Sequence, residues 1–272
     1  MIEIKDHEFN ELVRYMKLHF GINLSQKRGL IEGRLGLKVQ EKGYTNYEDY
    51  FNNVLADTTG KEIANLINVL TTNHTFFLRE NQHFDFMTNV ALPTLTDNIR
   101  DKDLRIWSAG CSSGEEAYTT AMVVDQYFGL IKNDWDSTIL ATDISTKVLE
   151  KGAEGIYSKA SLQAMPEAWK KKYFLGLNND SIQLKEDIRK QVIFRTLNLM
   201  DKSYPFKKKF HIIFCRNVMI YFDNQTKKEL IERFYNATMP GGYLFIGHAE
   251  SIANGDSNYK YIQPAVFQKP YK

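Results

Sequence analysis

The segment Arg105-Ile-Trp-Ser-Ala-Gly-Cys-Ser-Ser-Gly-Glu-Glu-Ala-Tyr118 holds residue types that can grip a small ligand. It reads as a buried strand, a turn of small residues, and the first turn of a helix. Gly110 and Gly114, with Ser108, Ala109, Ser112 and Ser113, let backbone approach a ligand closely. The spacing is not the G-x-G-x-x-G that holds a pyrophosphate. Glu115 and Glu116 follow at once; they repel a phosphate but suit a cation or ribose hydroxyls. A nucleoside without phosphates and with a positive centre describes S-adenosylmethionine. The plainer reading is an ordinary tight strand-to-helix turn.

Other polar residues follow apolar strand patterns directly. Asp143 ends Leu140-Ala-Thr-Asp143, where a carboxylate can accept both ribose hydroxyls or can cap the next helix. Asn198 and Arg216-Asn217 end two further strands. Several such residues on one sheet edge point to a site. Tyr221 lies just beyond; it can face a sulfonium or anchor the next helix in the core. Asn73, Thr75 and Arg79 fall in a polar stretch between the helical and sheet parts, and Arg79 can pair with a carboxylate. His74 and His83 have no third ligand in view, so no metal is expected.

The elements around these residues divide the chain. At 272 residues the soft prior is about two domains. Residues 1–88 read as helices, with Phe9, Leu12, Val13, Met16 and Phe20 at helical spacing and Gly21 as a C-cap. A second helix is expected from Ser25 to Lys42. Its Lys27, Arg34, Lys38 and Lys42 line one side, either as a solvated face or as a dock for an acidic helical partner. Residues 89–272 alternate strand and helix, which implies a mostly parallel, doubly wound sheet. A small β insertion is expected at about 157–191, and Pro240-Gly241-Gly242 reads as a turn before a strand at Tyr243–Gly247. Net charge is only +2, so the chain is not built as a nucleic-acid binder. The N-terminus lacks a signal-peptide pattern, and no apolar run reaches a membrane span. With Cys111 and Cys215 read as free thiols, the expectation is a cytoplasmic monomer.

Taken together, Thr71-Thr-Asn-x-Thr-x-Phe-x-Arg-Glu, Trp107-Ser-Ala-x-x-Ser-x-Gly-Glu-Glu, Ala141-Thr-Asp, Asn198-Leu199 and Phe214-Cys-Arg-Asn-Val-Met-Ile-Tyr-Phe-Asp resemble the chemotaxis receptor methyltransferases, the CheR family. Pro240-Gly-Gly-Tyr-Leu-Phe-Ile-Gly-His-Ala-Glu-Ser is similar to a further block of that family. The resemblance implies an all-helical domain before a class I, Rossmann-like methyltransferase domain with a small β subdomain. It implies methyl transfer from S-adenosylmethionine to glutamate side chains of chemoreceptors, with S-adenosylhomocysteine as product. It implies cofactor contacts at Asn73, Thr75, Arg79, Glu116, Asp143, Asn198, Leu199, Arg216 and Asn217. Arg79 and Tyr221 would face the reacting centre, and Lys27, Arg34, Lys38 and Lys42 would grip the receptor's methylation region. Some members dock on a receptor C-terminal pentapeptide; the short Leu-Gly-Leu-Asn-Asn-Asp loop here predicts no such tether. The rival readings are another acceptor, or a non-catalytic nucleoside-binding adaptor.

Overall fold

The computed structural model describes residues 2–71, 73–253 and 255–271, so Thr72 of the first motif lies outside the described residues. Four helices come first: α1 (Asp6–Phe20), α2 (Arg28–Glu41), α3 (Tyr47–Ala56) and α4 (Lys61–Leu70). Helix α1 buries Phe9, Leu12 and Met16 on one face, as their spacing predicts. Gly21 closes it in the left-handed region and donates to Lys17 O at 3.0 Å. A side chain there would press on Met200 and Phe222 of the following domain. Helix α2 starts at Arg28 rather than Ser25, because Lys27 N donates to Leu24 O at 2.9 Å and makes a turn first.

A helical stretch follows as α5 (Gln82–Phe86), a π-turn (Met87–Ala91) and α6 (Leu92–Thr96). It crosses position 88 without a break, and Phe84, Phe86 and Met87 are buried in the core of the sheet domain. The helical layer of that domain therefore begins near Gln82, upstream of the expected division.

Strand β1 (Ile106–Ala109) leads to α7 (Glu115–Phe128), and β2 (Ile139–Asp143) to α8 (Thr146–Glu154). Next come β3 (Ile156–Ser158), α9 (Glu167–Tyr173), β4 (Phe174–Gly176), β5 (Ser181–Leu184) and α10 (Glu186–Arg189). The chain ends with β6 (Val192–Thr196), β7 (Phe210–Cys215), α11 (Asn224–Ala237), β8 (Thr238–Ile246), β9 (Lys260–Gln263) and β10 (Val266–Gln268). Seven strands form one sheet in the order β6-β2-β1-β7-β8-β10-β9, with the first five parallel and β10 antiparallel to both neighbours. Strands β1 and β7 are buried along their whole length, so their sequences are mostly apolar, with Ser108 and His211 as the buried polar exceptions. The insertion is a three-stranded antiparallel sheet, β3-β5-β4.

Pro240-Gly241-Gly242 is not a turn but part of β8. Gly241, at φ 79°, absorbs a local irregularity, and the strand stays paired through Gly241 N to Lys269 O at 2.9 Å and Lys269 N to Gly242 O at 2.8 Å. One core lies between the sheet and α7, α5 and the β insertion. The other joins the sheet's opposite face, through Trp107, Ile213 and Leu244, to the helical domain's Met16, Leu35 and Leu66. The helical domain is thus packed directly on the sheet domain.

Candidate active site

The carboxyl ends of β1, β2 and β7 meet at a cavity of about 330 Å³, the place where an open parallel sheet binds ligands. The turn after β1 is tied to the end of β2: Gly110 N and Cys111 N both donate to Thr142 O, at 2.8 and 2.9 Å. Gly110 sits at φ 81°, and a β-carbon there would clash with a Val218 methyl. Tyr157 of the β insertion donates its hydroxyl to Ser113 O at 2.6 Å and braces the same turn from outside.

Asp143 accepts from Ser112 N at 2.9 Å on one carboxylate oxygen and from Ser145 N at 3.0 Å on the other. Each oxygen keeps a lone pair for a ligand hydroxyl. The helix-cap role falls to Ser145, whose Oγ accepts from Val148 N. Burial pushes the Asp143 pKa up, against the pull of the Ser145, Ser112 and Ile144 N–H groups.

The two acids that open α7 separate. Glu115 is buried and takes the Ser113 hydroxyl at 2.8 Å, away from the cavity lining. Glu116 lines the cavity; it accepts from Ser108 Oγ at 2.7 Å and from Arg216 Nη1 at 3.1 Å. Burial pushes its pKa up, and Arg216 and Ser108 only partly offset this.

Arg216, with its side chain 2 % exposed, also donates to Glu80 from Nε at 3.3 Å and Nη2 at 3.2 Å, and to Arg79 O. Its guanidinium therefore joins two carboxylates and a carbonyl. Burial works to raise the Glu80 pKa, but Arg216, the Asn217 side chain and His248 N–H together bring it below the ordinary value. Glu80, His83 and His248 could group around a cation, yet Glu80 already carries Arg216, Asn217 Nδ2 and His248 N. Buried His83 has no hydrogen-bond partner on either ring nitrogen among the described residues, and burial, then Arg216, brings its pKa down to about 3.

Asn73, Thr75, Arg79, Asn198, Leu199, Asn217 and Tyr221 line the same cavity as Glu116, Asp143 and Arg216. All the residues predicted for cofactor and reaction are brought together. Asn198 does more than line it: its Nδ2 donates to His19 O of the helical domain at 2.7 Å. Arg79 donates to His74 O at 2.8 Å and lies over the Phe76 ring, 5.7 Å from its centroid. Among the described residues no carboxylate is within ion-pair range of Arg79. Cys111 lines the cavity too, but burial pushes its thiol up well above the ordinary range, so it is no nucleophile.

The expected basic face is divided, and only Arg34 and Lys38 lie within α2, with Lys27 and Lys42 as its flanking caps. Lys27 lines the cavity; Arg34, Lys38 and Lys42 do not. Arg34 donates to Thr71 O at 2.9 Å and so caps α4, Lys38 pairs with Glu41 at 3.0 Å, and Lys42 pairs with Glu62. The sequence reading gave no role to Glu80 or Glu250, although both lie inside motifs it singled out. The α1–α2 loop was also missed; its Ile22, Asn23 and Leu24, with Phe20 at the end of α1, form one cavity wall.

Residues 73–267 match the family model described as CheR methyltransferase, SAM binding domain, and residues 7–71 match CheR methyltransferase, all-alpha domain. A chemotaxis protein methyltransferase of Borreliella burgdorferi is 44% identical over 98% of this chain and 96% of its own. Chemotaxis protein methyltransferase 2 of Vibrio cholerae is 32% identical over 100% of this chain and 96% of its own. The Escherichia coli chemotaxis protein methyltransferase is 34% identical over 93% and 87%. The helical domain, the parallel sheet and the cavity at its carboxyl edge are thus accounted for together, and the chain belongs to the CheR family of S-adenosylmethionine-dependent chemotaxis methyltransferases.

Proposed function

We propose that this enzyme methylates glutamate side chains on the cytoplasmic methylation region of chemoreceptors, forming methyl esters for adaptation. S-adenosylmethionine supplies an electrophilic methyl group when bound. The cavity fits it: Asp143 offers acceptors for ribose hydroxyls, Ile144, Leu197 and Leu199 offer an apolar wall, and no phosphate-binding glycine spacing is present. Asn73, Thr75, Glu116, Asn198, Arg216 and Asn217 complete the proposed cofactor contacts.

One observation carries the choice of acceptor. Arg79 lines the cavity with its guanidinium fixed by His74 O and Phe76, and no carboxylate of the described residues neutralises it. It is a ready partner for an incoming carboxylate. A glutamate is already ionised at neutral pH, with a pKa of about 4.3, so no general base is needed. Arg79 orients the nucleophile, Tyr221 faces the reacting centre, and the walls exclude water. Lys27 at the cavity, with Arg34, Lys38 and Lys42 beyond it, forms the surface that receives the acidic receptor helix. The ion pairs of Lys38 and Lys42 are exposed and weak, so exchanging partners costs about 0–1 kcal/mol each.

Labelled methyl transfer to a purified chemoreceptor signalling domain, followed by mild alkali, tests this reading. Label on the receptor that leaves as methanol supports a carboxyl ester; label that resists alkali refutes it. Arg79→Ala should keep part of the cofactor binding and lose most turnover, and unchanged turnover would remove Arg79 from the mechanism. We further propose that the protein acts as a monomer without pentapeptide tethering. The β4–β5 loop is knit to itself: Asn178 Oδ1 accepts from Asp180 N at 2.9 Å and Ser181 N at 2.7 Å. Calorimetric titration with a receptor C-terminal pentapeptide should show no tight binding.

A further inference from the structure

The loop after β7 carries three proposed site residues, Arg216, Asn217 and Tyr221, and it is an awkward loop. Asn217 is held at φ 59°, in the left-handed region that a non-glycine residue adopts at a cost. Its N–H and that of Ile220 have no partner within the loop. Both donate instead to one side chain: Glu250 Oε2 accepts from Asn217 N at 3.0 Å, and Glu250 Oε1 accepts from Ile220 N at 3.2 Å. The same Oε2 also accepts from Gly247 N at 2.6 Å, so the carboxylate is anchored at its own base just past the end of β8. Gly247 admits this arrangement, because a β-carbon there would lie 2.8 Å from Asn217 N and 2.9 Å from Glu250 Oε2. From the other side Glu80 takes Asn217 Nδ2 at 3.2 Å. Two carboxylates on separate segments thus bracket the loop, and Glu80 already has Arg216 as its counter-ion. Glu250 pairs with no cation among the described residues; its partners are backbone N–H groups only.

We propose that Glu250 is a positioning residue for methyl transfer, fixing Asn217 through one oxygen and the Ile220–Tyr221 turn through the other. The assignment rests on the reading of Asn217 as a cofactor contact and Tyr221 as facing the reacting centre. The two oxygens have separable duties. In E250Q the amide oxygen can keep Asn217 N and Gly247 N, but the amide nitrogen then faces the Ile220 N–H, donor against donor. Asn217 stays placed while the Tyr221 turn is released. In E250A both are released.

The test uses the full chain, with S-adenosylmethionine binding by calorimetry, labelled methyl transfer to a chemoreceptor signalling domain, and thermal melts. E250Q should bind the cofactor within about threefold of the unmodified protein yet lose on the order of 10²-fold in kcat, the effect of a misplacement near 1 Å. Its receptor KM and melting temperature should hardly move. E250A should lose roughly tenfold in cofactor affinity as well, the size of one released hydrogen-bonded contact. Turnover in E250Q equal to that of the unmodified protein would overturn the proposal, as would losses in both variants that simply track the folded fraction in the melts. Should the unmodified protein bind cofactor but methylate no receptor, the acceptor reading alone fails. The bracket is then judged by binding, where equal affinity in all three proteins overturns it and a loss confined to E250A supports it.

Discussion

Arg216→Met removes the cation that two carboxylates share. The side chain is 2 % exposed, and those of Glu80 and Glu116 are 15 % and 12 % exposed. Methionine fills similar volume, so the loss is mainly electrostatic. Removing one partner of a buried ion pair costs about 3–5 kcal/mol, a large share of a total stability of roughly 5–15 kcal/mol. The cost should depend on pH. Without Arg216 the folded-state pKa values of Glu80 and Glu116 rise above their unfolded values, so the folded variant binds protons that the unfolded chain does not. Its stability deficit therefore shrinks as pH falls, by up to about 1.4 kcal/mol per pH unit per carboxyl. Urea unfolding followed by circular dichroism at pH 8 and pH 6, without cofactor, measures this. The deficit should drop by about 1–3 kcal/mol between the two. Adding Glu116→Gln should recover about 1–2 kcal/mol at pH 8, because one orphaned charge is gone. A deficit below about 1 kcal/mol at pH 8, or one indifferent to both pH and the second substitution, would refute the description of Arg216 as the counter-ion of a buried acid pair.

Two further outcomes follow from the same geometry. Asp143→Asn keeps one backbone acceptor but faces the Ser112 or Ser145 N–H with an amide nitrogen, and it loses the charge that the proposed ribose contact would use; cofactor affinity by calorimetry should fall about 10–100-fold. His83 and His211 are held neutral by burial, with pKa values lowered to about 3 and about 4. Between those values and the unfolded value near 6.5 the unfolded chain binds the extra protons, so stability falls as pH falls through that window. His83→Leu should flatten the acid side of a stability–pH curve, and an unchanged slope would show that His83 does not drive it.

Much of this architecture was legible because the central strands are buried on both faces, as Phe210–Cys215 is along its whole length. Val192–Thr196, at the sheet's edge, also has the bounds its apolar run implies. Pro240-Gly241-Gly242 was misread because its composition is that of a turn, and only pairing with β7 and with Lys269 shows that the left-handed Gly241 is a kink inside a strand. The polar rim residues Asp143, Asn198 and Arg216 were legible for a local reason: each lies at or just past the end of a strand, and strand ends converge. Glu80 and Glu250 were not, because their partners lie 136 and 33 residues away in sequence and meet only in the folded chain. The basic stripe on α2 was visible as a pattern, but Arg34 spends its charge on the end of α4, a use that periodicity does not announce.

The α1–α2 loop has a thermodynamic consequence. Asn23 N donates to Tyr221 O at 2.9 Å, and Asn198 Nδ2 reaches His19 O, so the cavity wall is built partly from the helical domain, which also carries α2. A ligand in the cavity and a partner on α2 would each act on this one shared structure. Any factor by which bound nucleoside changes affinity for a partner on α2 must equal the factor by which that partner changes affinity for the nucleoside. On the receptor-docking role proposed for α2, a wall that closes differently on donor and on spent product would make the two differ in how strongly they hold the enzyme on its receptor, so that turnover itself would time the release.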